Sequence, residues 1–184
     1  LIPEEWDWMS CYHSSTSTTG SVICVLLLRL PREDQQLQKA QHFLKKTQTE
    51  DGGWPYRVGP DYKYGTDIAS IDDVLQALIA MGEPKDSLVI QNAVSALQKN
   101  HEVWTEPIDA SSVISILHML GYPADHPWIR ESVSNLMKAQ QENGGWNWLG
   151  DFPTDPGMTL FCVEQLIAVK IVTIDELKKM YMQG

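Results

Sequence analysis

The stretch Phe43-Leu-Lys-Lys-Thr-Gln48-Thr-Glu-Asp51-Gly52-Gly53-Trp54 decides the fold, because it returns as Leu136-Met-Lys-Ala-Gln140-Gln-Glu-Asn143-Gly144-Gly145-Trp146. A weaker copy, Leu97-Gln98-Lys-Asn-His-Glu-Val-Trp104, lies between them. The outer tryptophans are 146 − 54 = 92 residues apart, two periods of about 46, and a fixed period in this range marks an array of supersecondary units. Around these landmarks the period predicts polar-faced helices near 34–48, 87–99 and 126–141. Each is followed by a Gly/Trp turn and then a more apolar helix, over Ile68–Met81, Ala110–Leu120 and Gly157–Val169.

The first 30 residues read as the second half of a repeat. Trp6-Asp-Trp8-Met9 overlays Trp146-Asn-Trp148-Leu149 at an offset of 140, and Ile23, Leu26 and Leu27 fall on Val163, Leu166 and Ile167. Thr173-Ile-Asp-Glu176 reads as a capping box opening a last polar helix over 172–184. The chain therefore reads as one all-α domain over 1–184, with repeats near 1–32, 33–82, 83–121 and 122–171. It begins and ends mid-repeat and lacks an initiator Met, as expected of a piece of a longer protein.

Composition narrows the function. With 43% hydrophobic and 21% charged residues the chain can bury a core. Its net charge of −10, with Lys and Arg scattered, lacks the basic stripe that binds phosphates, which excludes nucleic acid as a partner. Three separated cysteines, Cys11, Cys24 and Cys162, suit reduced thiols and a cytoplasmic location better than a disulfide framework. The longest apolar run, Val22–Leu28, is far shorter than the roughly 20 residues needed to span a bilayer.

Within the Gly-Gly-Trp element the glycines permit positive φ, the Gln amide can bond backbone groups at a helix terminus, and the Trp ring covers the turn. Lys39-Ala40, Phe43, Gln48 and Gly52-Gly53-Trp54, with Asn135-Leu136, Gln140 and Gly144-Gly145-Trp146, resemble the QW repeats of the terpene cyclases, meaning squalene-hopene and oxidosqualene cyclases. They are more distantly similar to the β subunits of protein prenyltransferases. Trp54-Pro-Tyr56-Arg-Val-Gly-Pro-Asp-Tyr62-Lys-Tyr64-Gly-Thr-Asp67 also resembles the aromatic loop that leads such cyclases into an inner helix.

The resemblance implies an α/α toroid, here a partial ring of about four inner and four outer helices. If active, the protein would be a class II terpene cyclase, an isomerase that protonates an alkene or epoxide on a polyprenyl or triterpene-type chain. It implies no cofactor. Such chemistry needs a carboxylic acid kept protonated in an apolar cavity, and aromatic faces for the cation. The family supplies the acid from a D-x-D-D motif at the start of an inner helix. Two registers are open. One places the motif on Asp67-Ile-Ala-Ser70, with Ala69 where the acid should be; the other places it on Ser70-Ile-Asp72-Asp73 and keeps Asp72 as donor beside Asp73. Asp72, Asp73 and Asp67 are thus the catalytic candidates, and Trp54, Tyr56, Tyr62 and Tyr64 the ligand-binding ones.

Simpler roles stand beside these. Asp67, Asp109 and Asp155 occupy corresponding places before inner helices, as N-caps do. Acidic residues on a first turn are favoured by the helix dipole whatever their use. A prenyltransferase-like zinc site would need Asp, Cys and His at ligand spacing, and Cys162 has no Asp two residues before it, so no metal is expected. His118, among Leu117 and Met119, reads as a core or cavity residue, and the Ser14–Thr19 run as helix capping. The alternative to an enzyme is a non-catalytic repeat module that binds an apolar ligand or a protein partner. Expected partners are an apolar isoprenoid-type molecule, a second copy or flanking domain that completes the ring, and a membrane surface touched peripherally.

Overall fold

A computed structural model describes residues 14–59, 65–148 and 153–173. The chain divides into two compact units, Leu1–His101 and Glu102–Gly184. In the first, a two-residue strand β1 (Ser14–Ser15) leads into α1 (Thr16–Leu26), followed by α2 (Gln35–Lys46), β2 (Arg57–Val58), α3 (Ile68–Ala80) and α4 (Leu88–Lys99). In the second, α5 (Pro107–Leu120), α6 (Pro127–Lys138) and α7 (Pro156–Ala168) are the α-helices among the described residues. The all-α class expected from the repeats is the one found, and the expected helices fall within a few residues of those observed. The expected last helix over 172–184 lies almost wholly outside the described residues.

The alternation of helix types follows from how much of each helix is covered. In α2 the buried residues are Leu37, Ala40 and Leu44, and in α6 they are Ile129, Ser132 and Leu136. Both sets have i, i+3, i+7 spacing and form one narrow stripe, so the rest of each helix is free to be polar. By contrast, α3 buries Ile68, Ile71, Val74, Leu75, Ala77 and Leu78, and α5 buries Ala110, Val113, Ile114, Ile116 and Leu117. Those helices are packed on several sides and must be apolar on several sides. On this basis we call α3 and α5 inner and α2 and α6 outer; α1 and α7 are called inner and α4 outer by their place in the alternation.

Helix starts are set by caps. Ser15 accepts from the Thr18 amide at 3.1 Å, Asp67 from the Ser70 amide at 2.8 Å and Asp155 from the Met158 amide at 2.7 Å. Asp109 is not a cap. Pro107 fits the first helical position, where no amide hydrogen is needed, so α5 starts earlier, with Glu106 at its N-cap and Asp109 inside the first turn. A second correction concerns His118, which is exposed rather than part of a core or cavity wall: it lies in the last turn of α5, beyond the stretch of that helix that is buried. No helix among the described residues is long and apolar enough to cross a membrane.

Candidate functional site

The two Gly-Gly-Trp turns close through the same bonds. The indole N–H of Trp54 donates to the Leu44 carbonyl at 2.7 Å, and that of Trp146 to the Leu136 carbonyl at 2.7 Å, ten residues upstream in each case. Gln48 Nε2 donates to the Gly52 carbonyl at 2.8 Å and Gln140 Nε2 to the Gly144 carbonyl at 2.7 Å. Gly52 and Gly144 take φ of 98° and 84°, which the turn requires and side chains other than hydrogen resist. The amides of Asp67 and Asp155 then donate to the carbonyls of Trp54 and Trp146 at 2.9 and 2.8 Å, which anchors the start of the next inner helix to the turn.

Around the first turn, Asp51 accepts from Thr66 Oγ1 at 2.7 Å and from Thr49 Oγ1. Burial pushes the Asp51 carboxyl up, but the hydroxyls of Thr49 and Thr66, the Gly53 amide and Asn100 outweigh it and hold the carboxyl below its ordinary value. Gln48 makes a second bond to the Val89 carbonyl at 2.8 Å, and a methyl group on Gly52 would lie 2.3 Å from the Asn92 carbonyl oxygen. The first turn is therefore fastened to α4. At the second turn a methyl on Gly144 would meet no described atom. A cleft of about 510 Å³ opens there, lined by Asn143, Gly144, Gly145, Thr154, Pro156, Thr159, Leu160 and Val163. Among the described residues, none that lines it is ionisable.

The aromatic candidates divide. Trp54 is fully buried and covers its turn. Tyr56 is 40% exposed, and the Arg57 guanidinium lies 5.6 Å from its ring centroid. Tyr62 and Tyr64 lie outside the described residues. The loop start is tied to α1. Ser14 and Ser15 pair antiparallel with Val58 and Arg57, and the Thr16 amide and hydroxyl donate to the carbonyls of Tyr56 and Pro55 at 3.2 and 2.5 Å. Two-residue strands carry no periodicity, so this bridge could not be read in the sequence.

The three candidate acids, all associated with α3, have three different surroundings. Asp67 spends its carboxylate on the cap, with the Ser70 hydroxyl at 2.5 Å as well as the amide. Asp72 is 3% exposed and accepts from Gln76 Nε2 at 3.1 Å. Asp73 is half-buried in the seam between α3 and α1, where it accepts from Ser21 Oγ at 3.2 Å and from Ser17 Oγ. Burial pushes the Asp73 carboxyl up and the nearby Asp67 adds to that, while the two serine hydroxyls pull in the opposite direction; the net direction is upward. Cys24, three residues beyond Ser21 on α1, is also pushed up, first by burial and then by the charges of Asp73 and Asp72.

The helices come this close because α1 carries Gly20 at the crossing. A Cβ there would lie 2.5 Å from the Asp73 carbonyl oxygen. Ser17 reads in the sequence only as part of the Ser14–Thr19 capping run, of which Ser15 is the cap, and Gly20 and Ser21 carry no assignment there, although the i, i+3, i+4 spacing of Ser17, Gly20 and Ser21 places three small residues on one face of α1. Their partner lies 52 to 56 residues away, a pairing that local pattern does not report.

This acidic seam and the first turn lie inside a stretch, residues 10–110, that matches the family model described as the squalene-hopene cyclase C-terminal domain. The match covers more than half of the 184 residues. The chain belongs to the squalene-hopene cyclase C-terminal domain family. The squalene–hopene cyclase of Zymomonas mobilis subsp. mobilis is 32% identical over 136 residues, which is 68% of this chain and 19% of that protein. The chain thus spans about a fifth of the length of this curated relative. The all-α fold of inner and outer helices accords with that membership, and the chain is a cyclase-like segment.

Proposed function

We propose that this squalene-hopene cyclase-like segment takes part in protonation-initiated cyclisation of a polyprenyl or triterpene-type isoprenoid, with Asp73 holding the proton. The observation that carries the reading is the half-buried Asp73 carboxyl, whose affinity for its proton is raised by burial in the α1–α3 seam. A proton donor needs both a raised pKa and a path to its substrate. The motif register favours Asp72 as donor, but Asp67 is committed to a cap and Asp72 is 3% exposed, so the reading moves the proton from Asp72 to Asp73.

In the reaction the Asp73 O–H bond breaks and a C–H bond forms at the less substituted carbon of the terminal alkene. The alkene π pair becomes that C–H bond and the positive charge falls on the tertiary carbon. Each following double bond donates its π pair to close a ring, and loss of a proton from carbon ends the sequence with an isomer of the substrate. Tyr56, with Tyr62 and Tyr64, is the aromatic set proposed to face the cation, since a π face stabilises charge without adding to it as water would. No metal or cofactor enters this scheme, and the setting that fits it is a cytoplasmic enzyme in contact with a membrane surface.

The reading is tested by incubating the intact protein with squalene and shorter polyprenyl substrates and separating the products by gas chromatography with mass detection. Cyclised isomers are the expected result. Their absence, together with an isoprenoid retained in native mass spectra, would favour the second reading, a non-catalytic module that binds an apolar ligand. That reading draws on the fact that Asp67, Asp72 and Asp73 each already have a hydrogen-bond partner within the chain.

A further inference from the structure

We infer that Ser17 and Ser21 of α1 are positioning residues that hold and orient the Asp73 carboxyl. The inference rests on the proposed role of Asp73 and adds the neighbouring helix as the element that controls it.

The geometry is specific. Ser17 and Ser21 are one helical turn apart and therefore on the same face of α1. Ser17 donates to one carboxyl oxygen, Oδ2, and Ser21 to the other, Oδ1, so the pair grips both ends of the group. A carboxyl held at both oxygens cannot rotate freely about its Cβ–Cγ bond. Gly20, between the two serines, keeps the backbones close enough for such short side chains to reach. Serine hydroxyls suit this task because they rotate: each can donate to a carboxylate and accept from a protonated carboxyl.

The charged surroundings leave the serines as the groups that favour the ionised form. Helix α1 carries no Asp, Glu, Lys, Arg or His over Thr16–Leu26, and its titratable group is Cys24. On α3 the neighbours are Asp67 and Asp72, both acidic. On α2, Lys45 pairs with Glu83, Lys39 is half-buried, and His42 and Lys46 are exposed; on β2, the Arg57 guanidinium lies over the Tyr56 ring; on α4, Lys99 donates to the Asp51 carbonyl. Donation to the charged form lowers a carboxyl pKa, so loss of both hydroxyls should move Asp73 further up.

The test compares wild type, Ser17→Ala/Ser21→Ala, Ser17→Thr/Ser21→Thr and Asp73→Asn in the intact protein. With squalene as substrate, the Ala pair should move the alkaline limb of the kcat profile to higher pH and lower kcat about tenfold on its acid plateau, the loss expected when one orienting interaction worth about 1.4 kcal/mol disappears from the transition state. KM should stay the same, and the Thr pair, which keeps both hydroxyls, should restore the profile. Independently of activity, Tm against pH should show the Asp73 titration displaced upward in the Ala pair and absent in Asp73→Asn.

An Ala pair whose pH limb, kcat and Tm titration all match wild type would overturn the inference. If Asp73→Asn cyclises at the wild-type rate, it is the role of Asp73 that fails. If Asp73→Asn is inactive and the serine variants are unchanged, Asp73 stands and the positioning role falls.

Discussion

Within the first unit and within the second, two inner helices pack together, and the chemistry of the two seams differs. Between α1 and α3 a carboxyl sits between two serine hydroxyls, whereas between α5 and α7 the Ser111 hydroxyl faces the Cys162 thiol at 3.4 Å. Burial raises the pKa of both acidic groups, but from different starting points. Asp73 starts at 3.8, so an upward shift brings it towards the range where a protein acid can be poised, while Cys162 is pushed up to about 11 and stays a neutral thiol at any physiological pH. The corresponding helix pairing therefore places a carboxyl between two hydroxyls in one unit and a neutral thiol against a hydroxyl in the other. The turns show the opposite pattern. Trp54 and Trp146, Gln48 and Gln140, and Asp67 and Asp155 share the bonds that close the turn, because it is closed by residues within a short stretch of chain.

The likeness of the turns is most severely tested by Trp54→Ala and Trp146→Ala. Each removes a buried indole and its hydrogen bond, and each should cost about 3–5 kcal/mol in urea denaturation. A neutral Trp146 variant would show that the shared bonds do not make the two turns equivalent. Next in size is Gly20→Ala, whose methyl group would meet the Asp73 carbonyl; a loss of about 1–3 kcal/mol from overpacking is expected, and a gain in stability would mean that the seam is not tight.

Gln48→Ala should destabilise by about 1 kcal/mol more than Gln140→Ala, since Gln48 alone of the two also bonds α4 among the described residues. Equal losses would remove the distinction between a fastened and an open turn.

Proton linkage separates the seams most finely. A carboxyl whose folded pKa lies above its unfolded value stabilises the fold below the unfolded pKa, and that contribution is lost as pH rises through the folded pKa. For Asp73 the window opens at 3.8 and extends upward. Tm should therefore show a downward component across that window in wild type that Asp73→Asn lacks. Cys162→Ser should leave the same window unchanged, and Cys162 should resist iodoacetamide until the protein unfolds.

Much of this was legible in the sequence where the cause is local. The period of the Gly-Gly-Trp stretch gave the helix order, and the narrow stripe of Leu37, Ala40 and Leu44 against the broad face of α3 gave the outer and inner types. Caps at Asp67 and Asp155 followed from position, but Asp109 did not, because Pro107 advanced the start of α5 by a turn that the repeat alone does not encode. The candidate site was legible only in part. Asp67, Asp72 and Asp73 could be found as a cluster, yet what separates them is burial and the neighbour each one meets. Those depend on α1 reaching α3 at Gly20, more than 50 residues away.

The most direct test is the single-turnover rate of the intact protein with squalene, wild type against Asp73→Asn. Asparagine keeps the shape of the side chain and accepts from the serines through its oxygen, but it cannot give a proton. If Asp73 is the acid, the rate should fall by about 10²–10⁴-fold, the range expected on losing a general acid, while the far-ultraviolet spectrum stays helical. Cyclisation at the wild-type rate in a folded Asp73→Asn protein would contradict the assignment and leave the α1–α3 seam as packing alone.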